Sequence, residues 1–122
     1  MSSLFTEFLA AIVEEVTGAI GAVIQDWEGE SVDQFGHIDD MDLSINAAQW
    51  GLLWRLFRYQ ILDDRINSSK EILIETSKQK ILITTLYEDY YLVLIMKKHT
   101  SLSEAMKVIS SVIVQIKDEM GL

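Results

Sequence analysis

Gly18-Ala19-Ile20-Gly21-Ala22-Val23-Ile24-Gln25-Asp26-Trp27-Glu28-Gly29 is the stretch on which the fold turns. Ala19 to Gln25 places apolar residues on both alternating faces, and such a strand is covered on both sides. Gly21 and Ala22 are small, so another element packs close to that backbone. Asp26 at the first position and Gly29 at the fourth suit a type I turn. The chain then returns over Glu30 to Phe35 as a second, more polar strand.

Working outward, Ser3 to Val16 spaces Phe5, Phe8, Leu9, Ile12, Val13 and Val16 as one apolar helical stripe. Gly18 supplies the left-handed residue that stops this helix. Gly36 to Asp42 is a connector, and Asp40 or Asp42 is expected to cap the next helix. That second helix spans Leu43 to Asp64. At 100° per residue, Leu43, Ala47, Trp50, Trp54, Phe57 and Ile61 form one stripe, and Ile45, Ala48, Leu52, Leu56 and Tyr59 a second, roughly opposite. A helix lying on a sheet needs one stripe. The second must be buried elsewhere, and in a chain this small that means against another chain.

Glu71 to Thr76, Lys80 to Leu86 and Tyr91 to Met96 read as an antiparallel meander. The last run is apolar on both faces and therefore central. Ser101 to Met120 is the closing helix. Ser101 and Glu104 form a capping box, Leu102, Ala105, Met106, Ile109, Val112, Ile113 and Ile116 its buried stripe, and Gly121 its end. The order is α-β-β-α-β-β-β-α, an α+β chain expected to form one domain over residues 1–122.

The 122 residues include no Cys and no Pro, which removes disulfides, thiolate metal sites and cysteine nucleophiles. Formal net charge is −9. Nucleic acid is therefore not an expected partner, because phosphate backbones would be repelled. The charge is uneven: residues 1–42 hold ten acidic residues and no Lys or Arg, and the remainder is nearly neutral. This is either a solvated acidic face or a docking surface for a basic partner. The start of the chain lacks the basic residues and unbroken apolar run of a signal peptide. Tyr90 to Met96 is too short to span a bilayer. We expect a cytoplasmic protein with no membrane association.

Chemical motifs are absent. There is no Walker loop, nucleophile elbow or HExxH zinc motif. Asp40-Met41-Asp42-Leu43-Ser44-Ile45 begins like a calcium loop but has Ile45 where the sharp turn needs Gly. His37 with Asp39, Asp40 and Asp42 lacks the paired spacing of a metal site. His99 reads as a solvated surface residue. Trp50 and Trp54 could line a pocket, but helical spacing already explains them as core or interface. No metal, cofactor, small-molecule substrate or catalytic residue is expected.

The Gly18–Gly29 hairpin resembles the first hairpin of the Roadblock (dynein light-chain, MglB-like) domain family. That family has a Gly-Ala-x-Gly-Ala strand followed by Asp-x-x-Gly. Tyr91 to Met96, a short gap and Leu102-Ser103-Glu104-Ala105 are similar to its last strand and closing helix. The element order matches as well. The resemblance implies a five-stranded antiparallel sheet, with first and last helices on one side and the middle helix on the other. It also implies a dimer joined through the middle helix and third strand, which here points to Trp50, Trp54, Phe57, Ile61, Ile72 and Ile74. Family function is binding: some members regulate small Ras-like GTPases, and others are dynein light chains or scaffolds. The expected function is thus a non-catalytic homodimeric regulator or scaffold for a small Ras-like GTPase. The alternative is a dimeric adaptor in a larger motor or signalling complex without a GTPase. Candidate partner contacts are Gln49, Arg55, Arg58 and Tyr59. An inserted arginine would need a protruding loop. Only Arg65 lies near one, and a helix-end charge explains it.

Overall fold

The computed structural model describes residues 4–60, 71–87 and 90–121. The elements run α1 (Leu4–Glu15), β1 (Ala19–Asp26), β2 (Ser31–Gly36), α2 (Asp40–Gln60), β3 (Glu71–Glu75), β4 (Gln79–Tyr87), β5 (Tyr90–Lys97) and α3 (Leu102–Met120). The strands form one antiparallel sheet in the order β2-β1-β5-β4-β3. The central strand β5, buried from Tyr91 to Met96, is the run expected there.

Period-two alternation splits the sheet between two cores. Ala22, Ile24, Leu92, Leu94, Met96, Leu82 and Leu86 face α1 and α3, where they meet Leu9, Ile12, Val16, Ala105, Ile109 and Ile116. Val23, Val93, Ile95, Ile81, Ile83 and Tyr91 face α2 and meet Leu43, Ala47 and Trp54. Among the described residues, the helix faces expected for α1 and α3 are the buried ones.

Turn chemistry sets the hairpin. The Asp26 carboxylate accepts the backbone N–H groups of Glu28 and Glu30, each at 2.9 Å. The Gly29 N–H donates to the Asp26 carbonyl at 3.0 Å. Gly29 has φ +89°, a conformation that favours glycine.

Two caps differ from expectation. Asp39, not Asp40 or Asp42, caps α2: its carboxylate accepts from Met41 N–H at 3.1 Å and Asp42 N–H at 3.4 Å. The helix begins at Asp40, three residues before Leu43, the first residue of its inner stripe. On α3, Ser101 Oγ accepts the Glu104 N–H at 3.2 Å. The Glu104 carboxylate does not complete the box; it accepts the Thr17 N–H at 3.0 Å, joining α3 to the end of α1. Among the described residues, no helix is long and apolar enough to cross a membrane.

Candidate functional site

The surface that distinguishes this molecule is α2, because only one of its two stripes has been used by the fold. Three contacts hold the helix on the sheet. At its start, Gln34 of β2 donates to the Asp40 carbonyl at 3.0 Å and accepts from Ser44 Oγ at 2.7 Å. In the middle, Gly51 is buried against β1 and β5. A Cβ there would collide with Gln25 Oε1 and come within 2.7 Å of the Tyr91 hydroxyl. Near its end, Arg55 Nη1 donates to the Tyr91 hydroxyl at 2.8 Å. The same guanidinium lies over Gly29 in the hairpin turn. Trp27 packs on the Tyr91 ring at 5.0 Å between centroids. Burial pushes the Tyr91 phenol above its ordinary range, and the Arg55 charge and hydrogen bond pull it partly back.

Trp50, Trp54 and Phe57, expected at an interface, lie on the α2 stripe that faces the molecule's own sheet, and of the three only Trp54 is fully buried there. Trp54 is 1% exposed, and Leu43 and Ala47, which precede it on the same stripe, are fully buried. Trp50 and Phe57 pack against the same core, half-buried. Trp54 stacks on Phe57 at 6.1 Å, and Trp50 Nε1 donates to Asn46 at 2.7 Å. Trp54 has no surface left for a second chain. Ile61 and Arg65 lie outside the described residues.

The opposite stripe is the open one. Ile45, Leu52 and Leu56 are 53%, 47% and 44% exposed, joined by Leu53 at 52% and Met41 at 66%. Met41 and Leu53 were not among the expected residues; their angular positions flank the stripe and extend it. Gln49 is exposed on this side. Arg55 is half-buried, with its guanidinium engaged by the Tyr91 hydroxyl. Arg58 and Tyr59 lie within α2, but their side chains fall outside the described residues.

The strand β3 is a sheet edge. Ile72 and Ile74 are half-buried and pack on the α2 side. On the other face Leu73 lines a hollow of 180 Å³ with Leu82, Leu102 and Met106. The two edges of the sheet are unequal. On β2, the Asp33 carboxylate accepts from Thr6 Oγ1 of α1 at 2.9 and 2.8 Å, which ties that edge strand to a helix. No such side-chain hydrogen bond from a helix reaches β3 among the described residues.

The acidic hairpin brings the carboxylates of Asp26, Glu28 and Glu30 within 4.8 Å of one another, a convergence that spacing alone did not indicate. It is the one such group of three among the described residues, so His37, Asp39, Asp40 and Asp42 do not converge in the same way. Two backbone N–H groups already occupy Asp26.

A five-stranded antiparallel sheet in this order, with two helices on one face and a third on the other, is the Roadblock/LC7 fold. A Roadblock/LC7 domain from Streptomyces avermitilis superposes with a TM-score of 0.83 at 14% identity, covering 96% of this chain and 98% of that one. MglB of Myxococcus xanthus gives 0.78 at 17% identity, covering 98% of each chain. MglC of the same organism gives 0.72 at 19% identity, covering 94% of this chain and 98% of the other. No family model matches the chain, and neither does any curated protein.

Proposed function

We propose that this protein is a non-catalytic, homodimeric Roadblock-type regulator or scaffold that binds a small Ras-like GTPase. The observations that carry the proposal are the exposed α2 stripe of Met41, Ile45, Leu52, Leu53 and Leu56 and a β3 edge that no other described residue covers. Five large apolar side chains on one helix face exceed what a solvated surface helix needs. In this reading two copies bring their α2 stripes and β3 edges together, with Ile72 and Ile74 in the seam. The GTPase surface then forms where the paired helices emerge from the seam, with Arg58 as a contact and Gln49 and Tyr59 at the margin of the seam. Likeness to MglB and MglC supports a Roadblock-type role at the level of fold. Any effect on hydrolysis would come from holding the GTPase switch loops in one arrangement, since the described residues present no free arginine on a protruding loop.

Calorimetry with a small Ras-like GTPase encoded beside this protein, in GTP-analogue and GDP forms, tests the proposal. Binding that differs between the two forms supports it. Absence of binding in both, with a folded dimer, transfers the assignment to an adaptor of a larger complex without a GTPase.

A further inference from the structure

The β3 edge reads the same in both directions: Glu71-Ile72-Leu73-Ile74-Glu75 is a palindrome about Leu73. Two copies of a strand meet across a two-fold axis so that residue i faces j and j faces i. An axis perpendicular to the sheet keeps both α2 helices on one side. Directly opposed residues must then share a face, so the axis passes through a residue and not between two.

Of the three apolar centres, Leu73 alone matches apolar to apolar throughout, pairing Ile72 with Ile74 of the second copy and Leu73 with itself. Centring on Ile74 sets Leu73 against Glu75, and centring on Ile72 sets it against Glu71. The Leu73 register has a cost at its ends: each Glu71 faces a Glu75 of the other copy. Within its own chain, Glu71 accepts from Thr84 Oγ1 at 3.2 Å, a neutral neighbour. Glu75 sits opposite Lys80 of β4, whose ammonium donates to the Thr100 carbonyl at 3.0 Å. The α3 residues beside Glu71, Leu102 and Met106, are uncharged.

We propose that a second copy of this chain docks on β3 in the register centred on Leu73, and that four carboxylates at the ends of the seam hold its self-association down. This rests on the dimer proposed above and deepens it. Like charges directly opposed across strands oppose pairing. Screening them strengthens assembly, the reverse of an interface held by salt bridges.

The test measures dimer dissociation constants by sedimentation for wild type, Glu71→Gln, Glu75→Gln and the double variant. Both Glu–Glu pairs contain one Glu71 and one Glu75, so either single variant abolishes both. Each should tighten the dimer about tenfold, and the double variant should add little more. Raising salt from about 50 to about 500 mM should tighten wild type several-fold and leave the single variants nearly unchanged. The chain has no cysteine, so an introduced one reports register alone. Leu73→Cys should form a disulfide-linked dimer on mild oxidation, since opposed Cα atoms lie about 4.5–5.5 Å apart and a disulfide reaches that span. Ile74→Cys should not, because its mate is displaced along the strand.

Additive tightening by the two Glu substitutions would mean a general net-charge effect and overturn the inference. So would dimers indifferent to both substitutions, or cross-linking at residue 74 and not 73; in those cases the dimer itself stands. Monomers in every variant and at every salt would overturn the dimer as well.

Discussion

Gly51 of α2 lies directly over the Gln25 side chain of β1, so close that a methyl group would collide with Gln25 Oε1. Gln25 is fully buried, and neither of its amide atoms has a hydrogen-bond partner among the described residues. In an exposed helix interior, Gly→Ala gains about 1 kcal/mol from propensity. Here overpacking costs about 1–3 kcal/mol and opposes that gain. Gly51→Ala is therefore expected to lower stability, by about 1 kcal/mol net. Urea denaturation checks the sign; a more stable variant would show that α2 can lift from the sheet without loss.

The two stripes of α2 should separate by mutation. Trp54→Ala removes a buried side chain and should cost about 3–5 kcal/mol in unfolding free energy. Leu52→Glu with Leu56→Glu changes exposed residues, so folding should be nearly unaffected within each chain. Sedimentation of that double variant should nevertheless show loss of the dimer. An intact dimer would place the interface away from the outer stripe.

Removing the α2 cap should be visible by itself. Asp39→Ala leaves the Met41 and Asp42 N–H groups without the carboxylate. The expected loss is about 1 kcal/mol. Asp40→Ala and Asp42→Ala should each cost clearly less, which thermal denaturation of the three variants can compare.

Tyr91 should govern the alkaline limb of stability. Its folded-state phenol titrates above the unfolded value because burial disfavours the anion. The folded state therefore holds this proton longer than the unfolded chain does. Its contribution is complete below pH ~10 and is lost as pH rises through the folded value. Tyr91→Phe should cost about 1 kcal/mol at neutral pH, through loss of the Arg55 hydrogen bond. It should also flatten the decline above pH ~10. An unchanged alkaline slope, measured by denaturant titration at several pH values, would remove Tyr91 from that role.

Local pattern alone determined the element order, the central place of β5 and the inward faces of α1 and α3. Those features follow from period and polarity: each segment has one arrangement that buries its apolar residues and leaves its polar residues wet. The Asp26–Gly29 turn was legible for the same reason, since few residues suit its backbone. Which side of α2 meets the sheet was not legible, because both stripes are apolar and periodicity cannot rank them. The tertiary structure decided it through fit. Gly51 lies next to the Leu43–Ala47–Trp54 stripe and lets the helix approach Gln25 and Tyr91, and Trp54 is buried in the core that Val93 and Ile95 share. Arg55 is engaged because Tyr91, remote in sequence, places a hydroxyl within its reach. Asp39 displaced Asp40 and Asp42 as the cap because Gln34 of β2 takes the Asp40 carbonyl and sets where the first turn begins. Local preference thus specified the elements, and contacts between residues distant in the chain chose among the faces those elements offered.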